Sequence, residues 1–272
     1  MSLPCSVPGA HRSRYHHWQA HRRPAARRVH LQARAKAVHA ETRQTHGSRR
    51  MSLEPRARGL GVGRHRARSL MREAGLVAAR PGKRHVYPAG ETSRVADNVL
   101  NREFEAARPN EKWAGDIACP WTAAGWVCLA VVLDLFSRKA VGWCLSDAPG
   151  TRLALAALDR AVTLRRATPG SGLLLRSGQG CQHTSHAYQD RLAELGIQGG
   201  MSRRGNCWDN AVMERFSRSL EIESISRDRH QTREEVGWAV NKCIHFYNTR
   251  RIHSAIGGIP PNQAEQPFLK QA

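Results

Sequence analysis

Acidic residues are scarce in this chain. Only 22 Asp and Glu stand against 43 Lys and Arg, for a formal net charge of +21 over 272 residues. Solubility does not require an excess of that size, so a polyanionic partner, nucleic acid first, is implied. A basic, partly disordered tail is the blander reading. The shortage is uneven. The first hundred residues hold 21 Lys and Arg against 5 acids, and the rest hold 22 against 17. The electrostatic footprint therefore belongs to the N-terminal third.

Paired cysteines are also lacking. The seven (5, 119, 128, 144, 181, 207, 243) form no C-x-x-C pair. That pattern fits reduced thiols in a cytoplasmic protein better than a disulfide framework or a structural zinc site. Cys119, Cys128 and Cys144 fall in apolar runs and read as small core residues. Nine of the fourteen histidines lie in the basic first hundred residues without paired ligand spacing, and read as polar surface. No apolar stretch reaches ~18 residues, which excludes a helical membrane span. The opening "MSLPCSVPGAHRSR" lacks the apolar segment of a secretion signal.

Periodicity divides what is there into three stretches: a basic helical region over 1–80, a linker over 81–104 and a core over 105–268. In the first, "LQARAKAVHAETR" (31–43) aligns Leu31, Ala35 and Val38 on one helical side. Residues 53–76 read as helix, glycine turn (Gly61, Gly63), helix, with Gly75 as the stop. Arg64, Arg66, Arg68 and Arg72 decorate the second helix. That suits the reading helix of a helix-turn-helix, or an amphipathic surface helix with solvated arginines. Pro55 is expected to break the first helix, because it removes a backbone donor. Residues 81–110 are polar and Pro/Gly-punctuated and read as the linker region.

The core has a different texture. Strands are expected at 112–119, 126–135 and 140–146 as an antiparallel meander, then at 172–177 and 197–202. Helices are expected at 151–166, 185–196, 209–224 and 232–251, the third capped by Asp209 or Asn210. The fold class is α/β, a mixed sheet flanked by helices. Asp116 interrupts an otherwise apolar strand, where a lone carboxylate is costly unless it is paired or metal-bound. Glu214 sits in a helix between Met213 and the apolar positions Phe216 and Leu220. Two such acids suggest a divalent-metal site, although neighbouring arginines could satisfy them equally.

Four stretches go further: "RPNEKWAGDIA" (108–118), "AVVLDLFSRKAVGW" (130–143), "GMSRRGNCWDNAVMERF" (200–216) and "FYNTRRIHSAIGGIPP" (246–261). Together they closely resemble the insertion-sequence transposases of the orfB type, which carry a retroviral-integrase-like core. The resemblance runs from about residue 98 to 265, and more loosely upstream to about residue 15. It implies an RNase H-like core and an Asp-Asp-Glu triad holding two Mg²⁺ or Mn²⁺ ions. These activate water or a DNA 3′-hydroxyl for attack on a phosphodiester. It also implies double-stranded DNA as partner, a homo-oligomer on DNA and a cytoplasmic, nucleoid-associated location.

Carried over by position, the first acid is Asp116 and the glutamate is Glu214. The second acid belongs in a turn that the family usually writes His-Ser-Asp-x-Gly-Ser-Gln-Tyr-Thr-Ser. Here residues 176–185 read Arg-Ser-Gly-Gln-Gly-Cys-Gln-His-Thr-Ser, with Ser177, Gly180, Gln182, Thr184 and Ser185 fixing the register. The 35 residues between Gly178 and Glu214 match the family's interval. Gly178 thus stands where the second aspartate belongs, and glycine supplies no ligand. Metal binding is expected to be weakened and catalysis impaired; the alternative is a non-enzymatic DNA-binding relict. Asp134, Asp190 and Asp209 are each poorly placed to substitute, and Gln179 is neutral. With the hairpin turn set near 122–123, Asp116 lies opposite about residue 129. His183 replaces a Tyr, and "VPGAHRSRYHHW" (7–18) is a loose version of the family's opening. Arg203, Arg204, Arg250 and Arg251 are expected to face DNA, and Asp134 to pair with Arg138. Trp208 and Asn210 shape the DNA path or fix the loop before Glu214.

Overall fold

The computed structural model describes residues 13–14, 16–17, 26–57, 62–79, 105–167, 170–202, 210–225 and 230–269. The chain forms two compact units, Met1–Ala78 and Ala79–Ala272. The whole of the expected linker, 81–104, lies outside the described residues.

Among the described residues, the first unit contains the helices α1 (Ala26–Glu41), α2 (Ser48–Ala57) and α3 (Arg64–Glu73). Leu31, Ala35 and Val38 of α1 recur at helical spacing and are buried with Met51, Val62, Ala67, Leu70 and Met71. The second helix begins earlier than the sequence suggested and runs through position 55. The proline there removes one backbone donor, and the helix ends two residues later at Ala57 rather than breaking at position 55. Gly63 precedes α3 in extended conformation, and Gly75 stops it at φ +67. Arg28 and Gln32 of α1 both bond Glu73 of α3, at 2.5 and 3.0 Å. The reading of the histidines as surface fails here: His39 and His46 are buried, and His46 Nδ1 lies 4.0 Å from Glu54.

The second unit is built on a five-stranded mixed sheet in the order β5-β4-β1-β6-β7. Its strands are β1 (Lys112–Ala118), β4 (Cys128–Asp134), β5 (Ala140–Ser146), β6 (Leu174–Ser177) and β7 (Gln198–Met201). Two short strands, β2 (Trp121–Thr122) and β3 (Gly125–Trp126), form a separate small arm between β1 and β4. The first three long strands pair antiparallel, and β6 and β7 join in parallel. The parallel pairs require crossovers, supplied by α4 (Thr151–Arg165), the short α5 (Cys181–Thr184) and α6 (His186–Glu194). Then follow α7 (Ala211–Leu220), a π turn (Glu221–Ile225), α8 (Arg233–Thr249) and α9 (Pro261–Leu269). The C-terminal helix had no counterpart in the sequence reading, and it carries Pro267 inside it.

Every residue of β4 is buried, as a strand covered on both faces requires. Alternation sorts the two layers. Ala114, Leu129, Val131 and Leu133 pack with α7 and α8. Trp113, Ala130 and Val132 pack with α4 and α6. The layer over β5 is close. A Cβ at Gly142 would meet the Ala157 carbonyl oxygen and lie 2.6 Å from Ala161 N. Both neighbours are helix backbone and cannot turn aside. Gly142→Ala is therefore expected to cost about 1–3 kcal/mol in urea unfolding; an unchanged midpoint would refute the close approach.

Two expectations for this unit change. Asp116 pairs across β4 with Val131, not residue 129, because the β2–β3 arm takes up part of the connection. The last β1–β4 pair is Ala118 with Leu129, so the next positions, Cys119 and Cys128, face each other. They form a disulfide with Cα atoms 4.1 Å apart, rather than two reduced thiols. No helix among the described residues is long and apolar enough to cross a membrane.

Candidate active site

Asp116 sits near the C-terminal end of β1 and is half-buried. It lies two residues beyond Ala114, so it shares Ala114's face, the one covered by α7 and α8. Strand β6 runs parallel to β1, with Ser177 level with Gly115. Gly178 follows Ser177 just past the end of β6, as Asp116 follows Gly115 in β1, so the two positions come next after the last pair of neighbouring strands.

Glu214 is carried by α7, a helix of the layer over the face that Asp116 shares. Strand β7 ends at Met201, level with Ser177, and α7 begins ten residues later at Ala211. Met213 and Phe216 are buried in the cluster that holds Ala114, and they fix the helix over β1. Glu214 lies beside Met213 in the first turn and is exposed. A carboxylate at a helix N-terminus is favoured by the helix dipole. Asn210 caps the helix without a side-chain bond, and Asp209 lies outside the described residues.

The third position is open. A Cβ built on Gly178 meets nothing within 4 Å, and its backbone is not left-handed. A Cβ has room there and the backbone suits an L residue, so the turn does not itself demand glycine. Among the described residues, no group of three His, Cys, Asp or Glu is arranged to hold a metal ion.

Asp134 does not fill the gap. It pairs with Trp113, three positions from Asp116's partner, about 10 Å along the strand. It shares Trp113's face, opposite to that of Asp116. Its carboxylate accepts from the amides of Asn110, Phe136 and Ser137, at 2.7, 2.9 and 3.2 Å. Its ion pair is with Arg165, at 3.1 Å, rather than with Arg138. Asp190 is exposed on α6.

Two site features escaped the sequence reading. Arg176, where the family's motif has His, is buried and donates from Nη2 to Ser202 Oγ at 3.3 Å. The Ser202 hydroxyl in turn donates to the Ser177 carbonyl at 3.2 Å, just before Gly178. Only the departure from His could have signalled this. His183 is buried under the other face of β1, with Nε2 3.9 Å from where a Gly115 Cβ would stand. Its ring meets Tyr188 edge-on at 5.1 Å.

Burial pushes the His183 imidazole down from its ordinary 6.5 to about 4. The unfolded chain then binds the proton more readily than the folded one. Stability is intact above about pH 6.5 and falls as pH drops toward 4. His183→Tyr is expected to remove that part of the acid sensitivity, by up to a few kcal/mol at pH 4. Parallel stability–pH curves for the two proteins would refute it.

The expected DNA-facing arginines divide. Arg64, Arg66, Arg68 and Arg72 are exposed on α3, and Arg250 is exposed at the end of α8. Arg203, Arg204 and Trp208 lie outside the described residues. Arg251 is placed otherwise: it is buried, bonding Glu223 Oε1 and Oε2 at 2.5 and 2.9 Å and Ser219 Oγ at 2.9 Å. It ties the end of α8 to α7 and the π turn, and its guanidinium lies 5.6 Å over the Tyr247 ring.

Known proteins share the sequence and the fold of this chain. Two integrase core domain models match residues 106–207 and 195–261, and an HTH-like domain model matches residues 25–84. The transposase of insertion sequence element IS904 from Lactococcus lactis is 35% identical over 90% of this chain and 98% of its own. Transposase InsF of insertion sequence IS3A from Escherichia coli is 35% identical over 97% of this chain and 93% of its own. A 31 kDa protein of insertion element IS600 from Shigella sonnei is 33% identical over 98% and 99%. Among solved structures, the simian T-cell lymphotropic virus intasome bound to a PP2A regulatory subunit contains a chain that is 16% identical. It matches at TM-score 0.50, over 85% of this chain and 74% of that one. That likeness concerns the RNase H-like, integrase-type fold. With an integrase core, an HTH-like domain and close relatives along nearly its whole length, the chain belongs to the insertion-sequence transposases.

Proposed function

We propose that this transposase retains the DNA-handling scaffold of its family but is impaired in metal-dependent strand cleavage and transfer. Gly178 carries the proposal: it comes just after the last β6 residue paired with β1, in open space and without a ligand atom. Two cations ~3.5–4 Å apart need several carboxylates around them. Asp116 and Glu214 supply two, and the third position supplies none. The residues present therefore do not fit a two-ion site, and binding of Mg²⁺ or Mn²⁺ is weakened. A non-enzymatic DNA-binding role is the limiting form of this reading.

DNA binding is assigned to the exposed arginines of α3 (Arg64, Arg66, Arg68 and Arg72), to Arg250, and to Arg203 and Arg204. The net charge of +21 supports a duplex partner. Joining two element ends requires at least two copies of the chain, so a homo-oligomer on DNA is part of the proposal, in the cytoplasm. The domain division is 1–80 for the basic helical region, 81–104 for the linker and 105–268 for the core.

The test is a strand-transfer assay in Mn²⁺, with duplexes carrying the ends of the chain's own element. The protein is expected to shift these duplexes in a gel yet give little or no transfer product. Transfer at the rate of an intact relative would overturn the impairment.

A further inference from the structure

The small β2–β3 arm stands outside the three-position site but rises from the same end of the sheet. It leaves β1 just after Asp116, at Cys119, and returns to β4 at Cys128. The arm is closed at its base by the Cys119–Cys128 disulfide and by the Val127 amide bonding the Pro120 carbonyl at 3.2 Å. Its tip is tied by the Thr122 hydroxyl, which donates to the Gly125 carbonyl at 2.9 Å and accepts from the Ala124 amide at 3.2 Å. Gly125 takes φ +94, which a side chain would resist. Trp121 and Trp126 pair across this ribbon, edge to face, with centroids 5.1 Å apart.

A tied ribbon of this size does not need two tryptophans for a core, and Trp121 remains 50% exposed. Residues 119–128 carry no charge. The adjoining strand β5 ends at Ser146, opposite Cys128, and α4 opens soon after with exposed Arg152 and no acid in its first turn. Asp147, in the same connection, is ion-paired with Arg233 at 3.3 Å. The arm thus offers an uncharged aromatic surface within a few residues of Asp116, in a chain of charge +21.

We propose that Trp121, held by Trp126, is a stacking platform for an unpaired nucleobase at the end of a DNA duplex. This rests on the reading that the core handles DNA ends. Every base presents a π face, so stacking is sequence-tolerant and holds an end by its frayed strand. A rigid ribbon loses little conformational freedom on binding, which favours such a contact. Trp121 here is a positioning residue and touches no reacting atom.

The experiment compares two 20-base-pair probes, one blunt and one with a three-nucleotide overhang containing 2-aminopurine, whose fluorescence falls on stacking. The full-length protein is expected to quench the overhang probe. Trp121→Ala should lose quenching and bind the overhang about five- to a hundredfold more weakly, while blunt-duplex affinity is unchanged. Trp121→Phe should keep most of both, which separates stacking from damage to the arm. Equal overhang affinity and quenching in wild type and Trp121→Ala would overturn the platform and leave DNA handling intact. A wild-type protein that binds neither probe would remove the DNA reading, and the platform with it.

Discussion

Gly178→Asp is expected to raise Mn²⁺-dependent strand transfer by at least about a hundredfold, the scale on which misplacing a reacting group is felt. The scaffold for the change is present. The position is open, its backbone is not left-handed, and it follows directly on Ser177, the β6 residue paired with Gly115. An added carboxylate there would share a cation with Asp116, and Glu214 in the first turn of α7 would complete the set. The gain should vanish when Asp116→Asn is added, because one acid cannot compensate for the other. Calorimetric titration with Mn²⁺ gives a readout apart from activity: Gly178→Asp should bind the ion measurably more tightly than wild type. Rescue that survives Asp116→Asn, or Mn²⁺ affinity unaltered by the new carboxylate, would place the defect elsewhere.

The second large effect lies at the opposite end of the sheet. Arg165→Leu is expected to destabilise the core by about 3–5 kcal/mol, the usual result of removing one partner from a buried ion pair. Arg165 Nη2 lies 3.1 Å from Asp134 and 2.6 Å from Glu265, whose side chains are 0% and 2% exposed. Its Nε also donates to Asn110 Oδ1 at 2.8 Å. Burial alone would lower the guanidinium's pKa. Bonding to Glu265 and the charges of Glu265 and Asp134 outweigh it and hold the value up. Glu265 keeps Ser137 Oγ at 2.7 Å and Lys139 Nζ at 3.0 Å, so the leucine variant strands mainly the Asp134 side. Urea unfolding measures the loss, and protease cleavage within α9, which carries Glu265, should begin at lower denaturant. A change under about 1 kcal/mol would mean that water already reaches these carboxylates.

Much of the site was legible because it depends on local pattern. An acid in an apolar strand marked Asp116, and an acid beside buried Met213 and Phe216 marked Glu214. The turn after β6 exposed the missing ligand through its register with a family motif. Continuous apolar runs marked β4 and its neighbours, because a strand buried on both faces needs them. The arm at 119–128 was not legible. Its two-residue strands are too short for periodicity, and they displaced the expected β1–β4 register and hid the cysteine pair. Arg251 was misplaced for a related reason. An arginine after an aromatic helix end looks the same whether it faces solvent or folds back on Glu223, and only packing separates the two.

By itself the sequence determined the transposase family, the basic N-terminal helices, the layered α/β core and the absence of a ligand at position 178. Each follows from residue identity, charge or periodicity, which act along the chain. The tertiary structure alone decided that position 178 is open, that Asp134 serves a buried network, and that Arg251 clamps the Glu214 helix. It also set the Trp121 arm at the acidic end of the sheet. These depend on strand register and helix packing, which join residues far apart in sequence. Crossover connections and a five-stranded sheet fix such distances, and no local pattern encodes them.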